Sequence, residues 1–379
     1  MKRRRKLLEN GVRSRLFRLP ALLQRMRPQL LRLPQLSALL QRMRPQLPRL
    51  SARRPARTLL LLPLALLLAS CSSFPFAKRE EAPARIALIA KSQQGVYWST
   101  VRMGAEAAAK EFGVELQILA PAKKEEVSTA SDQEALLQEV MLGPHPPQAL
   151  VLAPIGYEDW KERAEQAVRD GIPVLTIDSP LNSSKVLSAI GTNQFAAGQK
   201  AAKKMLELTG KEARIAIIRF SREDRNATER KRGILDVLSK VPGVQIVEKS
   251  YEEADSATGA EKLTRRVMEL YGQFDGILAL NAIASTGVAA EIERQKLEGR
   301  VKIVTFDNTP EELELLQAGI IQATVIQNPF TMGYFGVKYA QEALNGKKVE
   351  ESVDTGTYVI DLENMFWKEN QKRLFPFVQ

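Results

Sequence analysis

Cysteine and histidine are almost missing from this chain of 379 residues, which has one of each, Cys71 and His145. A single thiol excludes an intramolecular disulfide. One His beside one Cys also removes His/Cys zinc clusters, Cys–His nucleophiles and most Ser–His triads. His145 itself sits in Gly143-Pro144-His145-Pro146-Pro147, which reads as a solvated loop. No metal and no cofactor is expected. Aromatic residues make up only 6% of the sequence. What is scarce here is the equipment of catalysis, so the composition favours binding, and no enzymatic activity is expected.

Charge is plentiful but unevenly placed. The whole chain carries 55 Lys+Arg against 44 Asp+Glu, a formal +11, yet residues 1–70 alone hold 17 bases and one acid, Glu9. From Cys71 onward there are 38 bases and 43 acids, a net −5. The basic excess therefore belongs to a leader, and the acidic body is not expected to bind nucleic acid.

The leader ends in the apolar run Leu59 to Ala69, which at 11 residues is far short of the about 20 needed to span a bilayer as a helix. Preceded by arginines, it reads as the core of an export signal. The following Leu68-Ala69-Ser70-Cys71 resembles the lipobox of bacterial lipoproteins. That resemblance implies cleavage before Cys71 and lipidation of its sulfur, and two acyl chains on one residue anchor a protein stably at a membrane. The competing reading is a buried structural thiol. Upstream, ALLQRMRPQL at Ala21 to Leu30 recurs at Ala38 to Leu47, a period of 17 residues. Because signal peptides run to about 30 residues, Met43 is the expected start of translation. Arg53-Arg54 is a poor twin-arginine match, since Pro55 and Ala56 follow it.

The body from Cys71 is 309 residues long, which suits two lobes with separate cores. Short apolar runs alternate with amphipathic stretches. The runs are Arg85 to Ala90, Val114 to Leu119, Ala149 to Ala153, Pro173 to Ile177, Arg214 to Ile218, Val244 to Val247, Gly276 to Leu280, Val301 to Phe306 and Ala323 to Ile326. Helical patterns such as Val101 to Phe112, Trp160 to Asp170, Phe195 to Leu208, Glu229 to Leu238 and Ala260 to Leu270 lie between them. The alternation predicts α/β architecture, with βαβ units in parallel sheets buried on both faces, and ligands at the ends of strands.

Six ordered segments carry a more specific resemblance: IALIAKSQQGVYWSTVRMGAEAAAKEFG from Ile86, GIPVLTIDS to Ser179, ERKRG before Ile234, ILALN to Asn281, VTFDNTPEEL to Leu313 and IQNPFTMGYFGV to Val337. Over Ala84 to Asn370 the chain resembles the periplasmic sugar-binding proteins of the ribose/galactose type, which share their fold with the ligand-binding part of LacI-type repressors. The resemblance implies two Rossmann-like lobes joined by a three-crossing hinge, the periplasmic binding protein type I fold. The expected organisation is a leader over 1–70, a lipidated tether over 71–83, one lobe from 84–191 plus 328–355, a second from 192–327 plus 356–370, and a tail over 371–379. Crossings are expected near Gly191 to Asn193, Gln327 to Asn328 and Asp354 to Thr357.

Candidate ligand residues follow. Tyr97 and Trp98 lie between the first strand and its helix, where an aromatic face stacks on the apolar face of a sugar ring, although both side chains could equally pack the helix onto the sheet. Gln94 adds an amide. Asp178 and Asp307 end strands, and hydrogen bonds to a carboxylate are worth roughly 1.5–3 kcal/mol each. Their structural alternatives are a turn before Pro180 and a helix N-cap before Pro310. Arg230 matches the family's ligand arginine at a helix start, against ordinary pairing with Glu223 or Glu229. Asn226 is a helper or the cap of that helix. Asn281 and Gln327 match family amides, and otherwise read as strand-end caps. Ser179 and Ala282 stand where ribose-type binders often have an arginine and an aspartate, and no aromatic near Ala254 matches the family's later stacking residue. The pocket reads as having lost charge, which argues against ribose itself and leaves another pentose, a hexose, a cyclitol or a nucleoside.

The resulting expectation is an exported, membrane-anchored lipoprotein of the periplasm or cell surface. It takes a sugar or small polyol, as a monomer, to an ABC permease or a membrane sensor. A repressor of this fold would need a helix-turn-helix before Ala84, and none is seen. A glycosidase would use Asp178 and Asp307 as its carboxylate pair. The closing aromatics Phe366, Trp367, Phe375 and Phe377 read as an apolar strap across a lobe.

Overall fold

A computed structural model describes residues 82–122, 128–219, 225–250 and 256–375, all within one compact unit, Glu80–Gln379. Cys71, the leader and most of the tether lie outside the described residues, as does Phe377. Among the described residues no helix is long and apolar enough to cross a membrane.

The first lobe begins with β1 (Arg85–Ile89), α1 (Gly95–Phe112), β2 (Glu115–Leu119), α2 (Ala130–Leu142), β3 (Ala149–Leu152), α3 (Lys161–Arg169), β4 (Val174–Asp178) and β5 (Ser188–Gly191). The second holds α4 (Gln194–Thr209), β6 (Ala213–Arg219), α5 (Arg225–Leu238), β7 (Val244–Ser250), α6 (Ala257–Tyr271), β8 (Gly276–Ala279), α7 (Ala282–Arg294), β9 (Lys302–Phe306), α8 (Pro310–Gln317) and β10 (Ala323–Ile326). The chain then returns for α9 (Pro329–Leu344) and β11 (Ser352–Asp354), and ends with β12 (Tyr358–Asp361) and α10 (Lys368–Leu374). Two six-stranded sheets result, in the orders β11-β5-β4-β3-β1-β2 and β12-β10-β9-β8-β6-β7.

Central strands such as β3 and β8 are buried at every position because helices cover both faces, and only continuous apolar runs tolerate that. The sheets are parallel, as the alternation predicts, with one exception: β12 pairs antiparallel with β10. It follows β11 after a short crossing and has no room for the helix a parallel return requires.

The three crossings fall between β5 and α4, between β10 and α9, and between β11 and β12. The first and third are tied to one another. Thr355 N donates to Gly191 O at 2.8 Å, and Asp354 Oδ1 accepts from Asn193 N at 3.0 Å and Gly356 N at 2.9 Å.

Each lobe also contains helices in backbone contact. In the first, a Cβ on Gly104 would lie 2.0 Å from Phe330 O and one on Gly333 1.9 Å from Val101 O, so α1 and α9 touch main chain to main chain. In the second, a Cβ on Gly198 would lie 2.0 Å from Arg230 O and one on Gly233 1.9 Å from Phe195 O, which sets α4 against α5 in the same way.

The C-terminal aromatics are not the strap expected from the sequence. Phe366 and Trp367 are 63% and 65% exposed, while Met365 and Leu374 supply the buried contacts. Phe366 and Trp367 precede α10, which runs past Asn370 and buries Asn370 and Leu374 instead.

One buried ion cluster fastens α7 to α6. Glu291 is fully buried and accepts hydrogen bonds from Arg265, Arg294 and Gln295. Burial alone would raise its carboxyl, but the bonds from Arg294, Gln295 and Arg265 outweigh this and bring it down to about 2. A depressed acid stabilises the fold above its unfolded pKa, and this contribution is lost as pH falls from about 4.5 toward 2. Glu291→Ala is expected to cost about 2–4 kcal/mol at pH 7, and to flatten the loss of melting temperature between pH 5 and pH 3 relative to the parent protein.

Candidate functional site

The C-terminal ends of both sheets and the three crossings converge on one region. From the first lobe come Lys91, two residues past β1, Tyr97 and Trp98 in the first turn of α1, and Asp178, the last residue of β4. Asp178 has φ +65°, a left-handed conformation that aspartate tolerates better than most side chains, and its carboxylate is buried. Lys91 Nζ meets Asp178 Oδ2 at 2.5 Å and Ser179 Oγ at 2.7 Å, and Tyr97 OH donates to Asp178 Oδ1 at 2.7 Å. Burial pushes the Asp178 carboxyl up, but the Lys91 ammonium and the bonds from Lys91, Tyr97 and Ser179 outweigh it and hold the acid below its usual range. The same contact works in reverse on Tyr97. Burial first, then the charge and hydrogen bond of Asp178, raise its phenol well above the ordinary value.

The second lobe contributes a chain of hydrogen bonds. Asp307 directly follows β9 with φ +82° and accepts from Gln327 Nε2 at 2.9 Å and Ala282 N at 3.3 Å. Gln327 Oε1 accepts from Gln194 Nε2 at 3.2 Å, and Gln194 Oε1 accepts from Arg230 Nε at 2.7 Å. Arg230 Nη1 donates to Leu280 O at 2.6 Å, and its guanidinium lies 4.3 Å from the centroid of the Phe306 ring. A buried cation is thus held flat on an aromatic face, oriented by an amide and a carbonyl.

The lobes meet here. Asn226 Nδ2 reaches Asp178 O at 3.5 Å, and the Arg225 guanidinium lies 4.8 Å from the Tyr157 ring centroid. Asp307 and Arg230, on the second lobe, both act on the Tyr97 phenol of the first. Asn226 Oδ1 is buried without a partner at this seam. A cavity of about 190 Å³ lies beside Asp178 and is lined by Ser179, Gly191, Asn193 and Asp354. A larger groove of about 770 Å³ runs elsewhere, along β2 with Leu116, Ile118 and Leu136, and shares no residue with this cluster. Convergent polar atoms, rather than volume, single out this region as the candidate site.

The structure brings Tyr97, Asp178, Arg230, Asp307 and Gln327 together, with Trp98 edge-on to Tyr97 at 5.1 Å between ring centroids. Gln94 stands apart. It is exposed at the start of α1, and its side chain makes no cap bond. Asn281 does cap α7, its Oδ1 accepting from Ala284 N at 2.8 Å, which leaves its amide nitrogen for a ligand. Asp307 is not the cap of α8, because Thr309 takes that role. Arg230 is not a surface pair: it is buried and turns inward, Glu229 is taken by Arg225 and Arg232, and Glu223 lies outside the described residues. Asn226 lies within α5 and reaches across the seam. The apparent loss of charge at Ser179 is offset by Lys91, which the sequence reading passed over although it directly follows the first apolar run. Gln194 was missed as well. His145 is exposed in its loop, and among the described residues no cluster could hold a metal.

Residues 86–348 match the sequence profile of the periplasmic binding protein domain. The chain belongs to the periplasmic binding proteins. This periplasmic binding protein is 24% identical to the D-allose-binding periplasmic protein of Escherichia coli strain K12 over 277 residues, covering 71% of this chain and 87% of the relative. It superposes on a crystal structure of a glucose-galactose binding protein from Geobacillus stearothermophilus with a TM-score of 0.71 at 27% identity, covering 76% of this chain and all of the other. A carbohydrate transporter solute binding protein from Agrobacterium radiobacter, in complex with D-arabinose, gives a TM-score of 0.70 at 28% identity, covering 77% and 99% of the two chains.

Proposed function

We propose that this protein captures an uncharged sugar or small polyol between its lobes and delivers it to an ABC permease while anchored to a membrane through lipid on Cys71. The observation that carries the reading is the seam itself. Two carboxylates, Asp178 and Asp307, end strands of different lobes and are oriented by fixed donors, and Tyr97 and Trp98 lie beside them. Charges cancel in this cluster, with Lys91 against Asp178 and Arg230 linked to Asp307 through Gln194 and Gln327. A net charge on the ligand would go uncompensated, whereas hydroxyls find acceptors and donors alternately placed. A ligand that bonds to residues of both lobes favours the closed arrangement, which is the coupling a transporter reads. A relative named for binding D-allose and a similar structure in complex with D-arabinose support the class. Hydrolysis is disfavoured because Asp178 is held ionised by Lys91 and is a poor proton donor.

The test is a thermal-shift screen of protein beginning at Ser72, stripped of carried ligand by unfolding and refolding, against D-arabinose, D-ribose, D-allose, D-galactose and xylitol. A concentration-dependent rise with at least one of them, lost in Trp98→Ala, is the expected result. No rise with any sugar or polyol would overturn the reading. The anchoring is checked by Cys71→Ala, which is expected to move the protein from the membrane fraction to the soluble one.

A further inference from the structure

Behind Asp307 lies a second carboxyl that the sugar site does not use. Glu312 occupies the third position of α8, where a glutamate ordinarily reaches back to the cap from the helix surface. Here it does reach back, with Oε2 accepting from Thr309 N at 3.1 Å, but the side chain is only 1% exposed and Oε1 has no partner. The group beside it is Ser285 of α7, within hydrogen-bonding reach. Ser285 has one hydroxyl proton, and it is placed on Asn281 O at 2.7 Å, so Oε1 has no settled donor. An ionised Oε1 would be a buried charge without a donor, whereas a protonated carboxyl carries no charge to satisfy.

We propose that Glu312 is a positioning residue that carries a proton, keeping Asp307 the single negative charge at its end of the cleft and making ligand capture proton-linked. The inference rests on the sugar-binding reading for its ligand, though the proton itself does not.

The charges around Glu312 point the same way. Asp307 is the charged neighbour acting on it. Glu311 and Glu314 of its own helix are exposed, and the acid of the facing helix, Glu291, is engaged by Arg265, Arg294 and Gln295. Burial first, then the Asp307 carboxylate, push the Glu312 carboxyl up to about 8, against the pull of Thr309 and Ser285. Near neutral pH the proton stays on. As pH rises through about 8 a second negative charge appears against Asp307, and the bonds Asp307 accepts from Gln327 and Ala282 must rearrange. Closure over a ligand removes water from the pair and strengthens this repulsion, so the bound state holds the proton more tightly.

The experiment has two arms. In unliganded protein, carbon-detected NMR of labelled glutamate carboxyls from pH 5 to 10 is expected to show one carboxyl titrating near pH 8, absent in Glu312→Gln and moved to lower pH by Asp307→Asn. If every glutamate has titrated by pH 6, or if the midpoint ignores Asp307→Asn, the proposal fails whether or not any sugar binds. In the second arm, calorimetry with D-arabinose and D-galactose is expected to show affinity about fivefold weaker at pH 9 than at pH 7 in the parent protein, and nearly level in Glu312→Gln. Binding with no difference between parent and variant would overturn the linkage. Neither of these sugars nor any other member of the panel binding, while the glutamate titrates as expected, would defeat the sugar-binding reading and the proton linkage to capture, and leave the protonated Glu312 established.

Discussion

Replacing Asp307 by alanine is expected to weaken sugar binding by two orders of magnitude or more while leaving the unliganded fold nearly intact. Each Asp307 oxygen already accepts one hydrogen bond, from Gln327 or from Ala282, which leaves each with capacity for one ligand hydroxyl. Two charge-assisted bonds at roughly 1.5–3 kcal/mol each amount to about 3–6 kcal/mol, or a factor of about 10² to 10⁴ in affinity. The backbone moderates the structural cost. Asp307 sits at φ +82°, where alanine is strained by about 1 kcal/mol and asparagine is at ease. Asp307→Asn should therefore melt like the parent protein and bind at an intermediate level, which separates charge from conformation. Calorimetry with whichever sugar stabilises the protein measures both. Binding of Asp307→Ala within threefold of the parent would show that this carboxylate does not touch the ligand.

The second large effect lies away from the cleft. Gly198 on α4 has no room for a side chain because a Cβ would come within 2.0 Å of Arg230 O, and main chain cannot swing aside as the end of a flexible side chain can. Gly198→Val must separate α4 from α5, and overpacking of this kind costs about 3 kcal/mol or more. For a lobe of this size that is a fall of about 6–12 °C in melting temperature. The displaced atom belongs to Arg230, whose guanidinium is placed by Gln194 from the neighbouring helix. Sugar affinity should drop together with stability, and Gly198→Ala should lie between the two. Val at Gly333 is the comparison. It parts α1 from α9 with a similar clash, against Val101 O, and should destabilise as much while leaving the Arg230–Gln194 bond in place.

Much of this was legible in the sequence, for reasons that can be named. The nine apolar runs coincide with β1 to β4 and β6 to β10, since the central strands, covered on both faces, must be apolar throughout, while the edge strands β2 and β7 keep an apolar face. The strands that escaped notice, β5, β11 and β12, are three or four residues long and flank the crossings, where polar and apolar residues alternate. Asp178 and Asp307 were visible as carboxylates ending strands. Lys91 and Gln194 were not, because a long side chain reveals neither its direction nor its partner until the fold places them. Glu312 reads as an ordinary capping-box residue in Thr309-Pro310-Glu311-Glu312, and nothing local tells that helix α7 seals it from water.

The order of the elements also governs how the molecule assembles as it is made. Residues 194–326 supply β6 to β10 with their helices in one stretch, and most of that core can close as it emerges, with β12 and α10 added at its edge afterwards. The first lobe begins earlier and has to wait for α9 and β11. Val101, Ala105 and Ala108 of α1, with Val151 of β3 and Ile177 of β4, share their core with Met332, Val337 and Ala340 of α9, which arrive only after the whole second body has been synthesised. Until then the oldest part of the chain has an apolar face uncovered, and such long waits expose a nascent protein to misassociation. The amino-terminal half is therefore the part that a chaperone, or the machinery that threads an unfolded chain across a membrane, has most reason to hold.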